Sequence, residues 1–296
     1  MRLQYSLPIA TTLLSALLAS SALAQNGSVV ASGATPEVLS DSFTFTEGPI
    51  ADAQGNVYFT DIPANRIHIW TTDGQLETFR EQTSATNGLF FDADGILYGA
   101  EGGTGSVTRM DMDGNVSVVV DEYEGASFNS PNDLWIDEHG GIYFTDPRYG
   151  LESNLPQPGY YVYYVAPGAS EATLIIDDLV RPNGIIGSRD GRTLYVADHE
   201  GDETYAYTIR SPGELTDGRL LIEQGSDGMA IDERGNIYLT GGTEITVYSS
   251  DGEMLEAIPF PMAPANMTFG GPDRDVLYVT ARSTLYALRM TVKGMH

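Results

Sequence analysis

The stretch "NSPNDLWIDEHGGIYFTDPRYG", Asn129 to Gly150, holds two short apolar runs, Leu134–Ile136 and Ile142–Thr145, on either side of a Gly-containing turn. That is the pattern of a β-hairpin. Its second run belongs to a series. "GNVYFTD" (Tyr58), "GILYGAE" (Tyr98), "GGIYFTD" (Tyr143), "RTLYVAD" (Tyr195), "GNIYLTG" (Tyr238) and "DVLYVTA" (Tyr278) align on their tyrosines, which are 40, 45, 52, 43 and 40 residues apart. Each follows a turn: "DAQG", "DADG", "DEHG", "SRDG", "DERG" or "GPDR". A third run such as "NRIHIWTTDG" follows, and often a fourth such as "LETFRE" or "VSVVVDE". The runs alternate with period two, and Gly and Pro punctuate them. Four short strands in a unit of 40–50 residues, repeated six times, predict an all-β, six-bladed β-propeller of four-stranded blades. A pair of β-sandwiches would not explain so regular a repeat.

Closure is legible too. The last repeat runs through "ANMTFGG", "DVLYVTA" and "STLYALRM" and then lacks an outer strand. The spare run "PEVLSDSF" lies ahead of the first blade. Pairing it with the last blade closes the ring and removes the exposed edges. The expectation is one propeller domain over residues 25–296. Residues 1–24 stand apart: Arg2, a short apolar run from Leu7 to Leu18, and Ala22-Leu23-Ala24 before Gln25 read as a signal peptide. Export to a periplasmic or extracellular location is expected.

The sequence contains no Cys, so disulfides and Cys-ligated metals are excluded. Lys and Arg number 15 against 41 Asp and Glu, a net charge of −26. Such a surface repels phosphate backbones and anionic lipid, so no nucleic-acid or membrane partner is expected. It mainly serves solubility, and it offers no sticky patch, which favours a monomer.

Stepping back 11 or 12 residues from each blade tyrosine gives Glu47, Asn87, Asn132, Asn183, Asp227 and Asn266. Every one carries a side-chain oxygen. All six fall at the start of an innermost strand, where a closed propeller brings them to one mouth of the central channel. Capping of local turns explains any one Asn or Asp. It explains six less well, and Glu47 poorly. Two carboxylates close together repel unless a cation lies between them. Oxygen donors without His or Cys suit Ca²⁺ first, then Mg²⁺ or Mn²⁺, with Zn²⁺ less suited.

The stretches "EGPIADAQGNVYFTD", "NGLFFDADGILYGAE", "NSPNDLWIDEHGGIYFTDPRYG", "RPNGIIGSRDGRTLYVAD", "SDGMAIDERGNIY" and "FGGPDRDVLYVTA" make the chain, from Phe43 to Gly294, resemble the senescence-marker-protein/gluconolactonase family, also called regucalcin-like. The resemblance implies a six-bladed lactonase. It implies a divalent cation held by Glu47, Asn183 and Asp227, with Asn132 facing metal and substrate. Two departures bear on the substrate. "AEGG" (Ala100–Gly103) stands where bacterial members carry "CEHG", and Ser130 stands where animal members carry a substrate-binding arginine.

A lactone is an ester, and its hydrolysis needs a polarised carbonyl, a water nucleophile and a stabilised oxyanion. Asp227 is the candidate general base and Asn132 the group that holds the substrate. Asn87, Asp146, Tyr149 and His199 are candidate substrate contacts. "EYEG" (Glu122–Gly125) reads as a solvated acidic loop. Activity on aryl esters or organophosphates at the same site is one alternative. A non-catalytic propeller that binds a ligand or Ca²⁺ is another, and a metal-free propeller enzyme of the strictosidine-synthase type a third. Neither G-x-S-x-G nor a phosphate-cradling Gly loop is present.

Overall fold

The computed structural model describes residues 27–111, 114–150 and 153–295. The segment read as a signal peptide lies outside them. Among the described residues there is no helix, and so none long and apolar enough to cross a membrane.

Six antiparallel four-stranded sheets stand around a ring. Their innermost strands are Thr46–Ala51, Thr86–Phe91, Leu134–Ile136, Pro182–Gly187, Met229–Ile231 and Asn266–Gly270. Each packs beside the next, and the sixth returns to the first. The fourth strand of the last sheet is Glu37–Ser40, which pairs antiparallel with Thr284–Arg289, so the ring closes through the N-terminal run. One small hairpin lies outside the blades: Glu122–Tyr123 pairs with Ala126–Ser127. The "EYEG" run is therefore not a free loop. The Gln157 carboxamide holds the hairpin by donating to the carbonyls of Tyr123, Ala126 and Ser127 at 3.1, 2.8 and 3.2 Å.

Three local devices build the blades. The first is the turn between the inner strands. Asp52, Asp92, Asp137 and Asp232 each accept amides two and four residues ahead on Oδ1, at 2.8–3.0 Å. Gly55, Gly95, Gly140 and Gly235 follow at φ between +79° and +91°, where a Cβ would be strained. The second is the stacking of blade on blade. Tyr143 and Tyr238 are fully buried, and Tyr58, Tyr195 and Tyr278 nearly so, each contributing large apolar area between sheets. The third is a stitch between sheets. Thr60, Thr145 and Thr240 lie near the ends of second strands and donate to carbonyls at or just before the start of the next blade's innermost strand: Asn87, Asn183 and Ala265, at 3.1, 2.8 and 3.3 Å. The Thr of "YFTD" thus fixes where the neighbouring blade's polar residue stands.

Candidate active site

A fourth device acts only at the channel mouth. The Asp that ends a second strand turns back and accepts two consecutive amides of the loop entering its own innermost strand. Asp61 takes those of Thr44 and Phe45 at 2.9 and 3.0 Å. Asp146 takes those of Asn129 and Ser130 at 2.7 and 2.6 Å, and Asp198 those of Val180 and Arg181 at 2.7 and 2.7 Å. In every case the polar residue of the ring follows two positions after the second clamped amide, at Glu47, Asn132 and Asn183. The clamp sets the height and direction of three of the ring's side chains. Asp227 is set differently: its amide donates to Thr240 Oγ1 at 3.2 Å, and Ser226 Oγ bonds Gly228 O at 2.5 Å.

Glu47, Asn132 and Asn183 are buried, with Asp227 partly so. Glu47 Oε2 accepts the Gly48 amide at 3.0 Å. Burial and the nearby Asp227 charge push the Glu47 carboxyl well above the carboxylate range, and burial also raises Asp227. The two carboxyls lie close enough for each to feel the other, and burial favours their neutral forms. Asn183 Nδ2 donates to Asp227 Oδ1 at 2.7 Å and to the Tyr149 hydroxyl at 2.8 Å. This uses both amide hydrogens and leaves Asn183 Oδ1 uncommitted.

Asp133 joins them and was absent from the sequence-based candidates. Burial raises it to about 7, with a contribution from Asp227. The Asn266 carboxamide, whose Oδ1 accepts the Met267 amide at 2.8 Å, lies near both carboxyls and offsets part of the effect of burial on each. Beneath them lies a cavity of about 40 Å³ lined mainly by apolar residues, among them Ile50, Leu89, Ile185 and Met295. A pocket of about 560 Å³ opens between blades two and three, with Asn87, Asn132, Ser130, Arg148 and Tyr149 in its walls, and it adjoins the carboxyls through the Tyr149–Asn183 bond. His199 stands at the rim, edge-on to the Tyr149 ring at 6.0 Å, and its charge draws Asp227 downward.

Asp146 differs from expectation. It is fully buried, and both carboxylate oxygens are engaged by backbone amides. The structure gives it to the loop that carries Asn132 and not to the pocket wall.

The donor set suits a hard divalent cation. Among the described residues no three His, Asp or Glu side chains form a metal cluster by themselves. A cation would need a mixed set of donors: the Glu47 and Asp227 carboxylates together with the Asn183 and Asn132 carboxamide oxygens.

Residues 45–283 match the family model for the SMP-30/gluconolactonase/LRE-like region. The chain belongs to this family. It is 31% identical over 291 residues to a gluconolactonase of Zymomonas mobilis, covering 87% of this chain and 82% of that one. A lactonohydrolase of Aspergillus oryzae is 27% identical over 69% of this chain and 56% of its own. Among solved structures, a gluconolactonase from Xanthomonas campestris superposes with TM-score 0.83 at 32% identity, covering 88% of this chain and 91% of that one. A calcium-binding regucalcin from Agrobacterium tumefaciens shares the fold at TM-score 0.74 and 22% identity, covering 87% and 94%.

Proposed function

We propose that this family member hydrolyses lactones of sugar-like, polyhydroxylated acids at the channel mouth, with a divalent cation, Ca²⁺ foremost, held by Glu47, Asn183, Asp227 and Asn132. The observation that carries the reading is the buried Glu47 carboxyl near Asp227, with Asp227 bonded to Asn183 and Asn183 to Tyr149, which with Asn132 lines the neighbouring pocket. The lactonase and gluconolactonase relatives support the reaction class. An exported location is part of the proposal, on the sequence of residues 1–24.

A bound cation would supply Lewis-acid polarisation of the lactone carbonyl. The chain's own groups do the rest. Asn132 and Asn87 offer carboxamides to the substrate's carbonyl and hydroxyl groups. Asp227 in its ionised form accepts a proton from the attacking water. The water oxygen bonds to the carbonyl carbon, and the C=O pair moves onto the carbonyl oxygen. Collapse of that adduct breaks the ring C–O bond, and the released oxygen takes up a proton to become a hydroxyl.

The test is to strip the protein with a chelator and follow D-glucono-1,5-lactone opening by pH indicator as Ca²⁺, Mg²⁺, Mn²⁺ and Zn²⁺ are restored in turn. Cation-dependent turnover that Glu47→Gln abolishes is expected. Tight cation binding without turnover on any lactone or aryl ester would replace the enzyme reading with that of a binding protein.

A further inference from the structure

We propose that Tyr149 is a catalytic hydrogen-bond donor that receives the oxyanion formed at the lactone carbonyl, opposite Asn132 in the same pocket.

Asn183 Nδ2 carries two hydrogens, and both are placed: one on Asp227 Oδ1 and one on the Tyr149 oxygen. The tyrosine oxygen is therefore an acceptor in that bond, and its own hydrogen is left to donate elsewhere. The hydroxyl lies on the pocket wall, beside the candidate base and on the same carboxamide as that base. The Tyr149 hydroxyl and Asp227 Oδ1 thus sit on one carboxamide nitrogen, at 2.8 and 2.7 Å.

The ring is held for this task. The Arg181 guanidinium lies 5.3 Å from the Tyr149 ring centroid and 4.6 Å from that of Tyr160. Arg181 is itself buried and fixed by Glu200 at 2.7 Å and the Tyr160 hydroxyl at 3.1 Å. His199 closes the ring's edge. The backbone just before Tyr149 is strained, with Arg148 at φ +39°, a region that non-glycine residues seldom enter and that tends to mark functional turns.

This assignment rests on the lactonase reading, and two measurements separate them. The first compares wild type with Tyr149→Phe on D-glucono-1,5-lactone in Ca²⁺; the phenyl ring keeps the Arg181 and His199 contacts. The expected result is a kcat lower by about 100-fold, as for loss of one oxyanion donor, with KM changed by less than about twofold and the melting temperature unchanged. An unchanged kcat, or a loss confined to KM, overturns the role of Tyr149 and leaves the lactonase reading standing. The second measurement titrates methylphosphonate, a tetrahedral anion, into both proteins by calorimetry. Binding weakened by about tenfold or more in Tyr149→Phe supports the donor even if no lactone is opened, in which case only the lactonase reading falls. Equal binding, or none to wild type, in a protein that opens no lactone overturns the inference.

Discussion

Asp133 occupies a position that is Gly in four of the other five blades: Gly48, Gly88, Gly184 and Gly228. Those glycines let inner strands close on one another. A Cβ on Gly48 would lie 2.0 Å from Asn87 O, and one on Gly88 would lie 2.5 Å from Asp133 Oδ1. In blade three the space is filled by a carboxyl instead. Its folded pKa of about 7 exceeds the reference 3.8, so the folded chain binds more protons than the unfolded one between those values. The raised Glu47, Asp146 and Asp227 add in the same direction. Stability contributed by the protonated forms is therefore present at low pH and lost as pH rises toward 7. In chelator, thermal melts are expected to fall from pH 5 to pH 7.5, to flatten in Asp133→Asn, and to rise again at pH 7.5 when Ca²⁺ is added. A melting temperature that climbs over that range in chelator would refute this account. For Asp227→Asn the expected loss in kcat is roughly 10²–10⁴-fold, read by the same indicator assay; full activity would remove it as the base. Asp133 escaped the sequence reading because the tyrosine offset landed on Asn132, one residue earlier. The signal that marks it is the broken Gly pattern, visible only once the six inner strands are compared column by column.

The element that decides where the ring residues stand is the loop entering each innermost strand. Asp61, Asp146 and Asp198 hold these loops by paired amide bonds, and the "TD" or "AD" that ends the second strand is the mark of that clamp. From sequence alone, Asp146 and the Asp198–His199 pair stood at equivalent strand ends, and Asp146 and His199 were both candidates for the pocket. The difference between them is a hydrogen bond to backbone, which no spacing rule encodes. Asp146→Ala leaves two buried amides unpaired, at about 1–3 kcal/mol each. It is expected to lower the melting temperature and to raise KM through a misplaced Asn132, while Asp61→Ala, two blades away, lowers stability with its main kinetic effect through Glu47 and the cation. Chemical denaturation together with a kcat and KM series separates the two; identical kinetic signatures would mean that the clamps serve folding only. Blade number and strand order were readable because turns, tyrosines and alternation recur at fixed offsets. The Glu122–Ser127 hairpin was not, because the group that holds it, Gln157, lies 30 residues or more along the chain from the carbonyls it binds.

At the scale of the whole molecule, the ring is only as sound as its seam. Glu37–Ser40 covers the outer edge of Thr284–Arg289, and upstream of it Ser28 Oγ and the Val29 amide bind the Glu256 carboxylate at 2.7 and 2.9 Å. A chain beginning at Ser42 would expose that edge as a template for pairing. It is expected to melt lower and to associate with rising concentration in light scattering; a monodisperse product with the wild-type melting temperature would show that the seam is dispensable. The seam also sets an order in time. Thr291 bonds a carbonyl 263 residues earlier, at Ser28, and the closing strand meets its partner across nearly the same interval. Contacts so distant along the chain form late and slowly. During synthesis, Glu37 has no partner until Leu285 and its neighbours have emerged, so five blades must wait with an open flank. Closure of the seam is therefore expected to come last, with the search between the two ends as the slow step of folding.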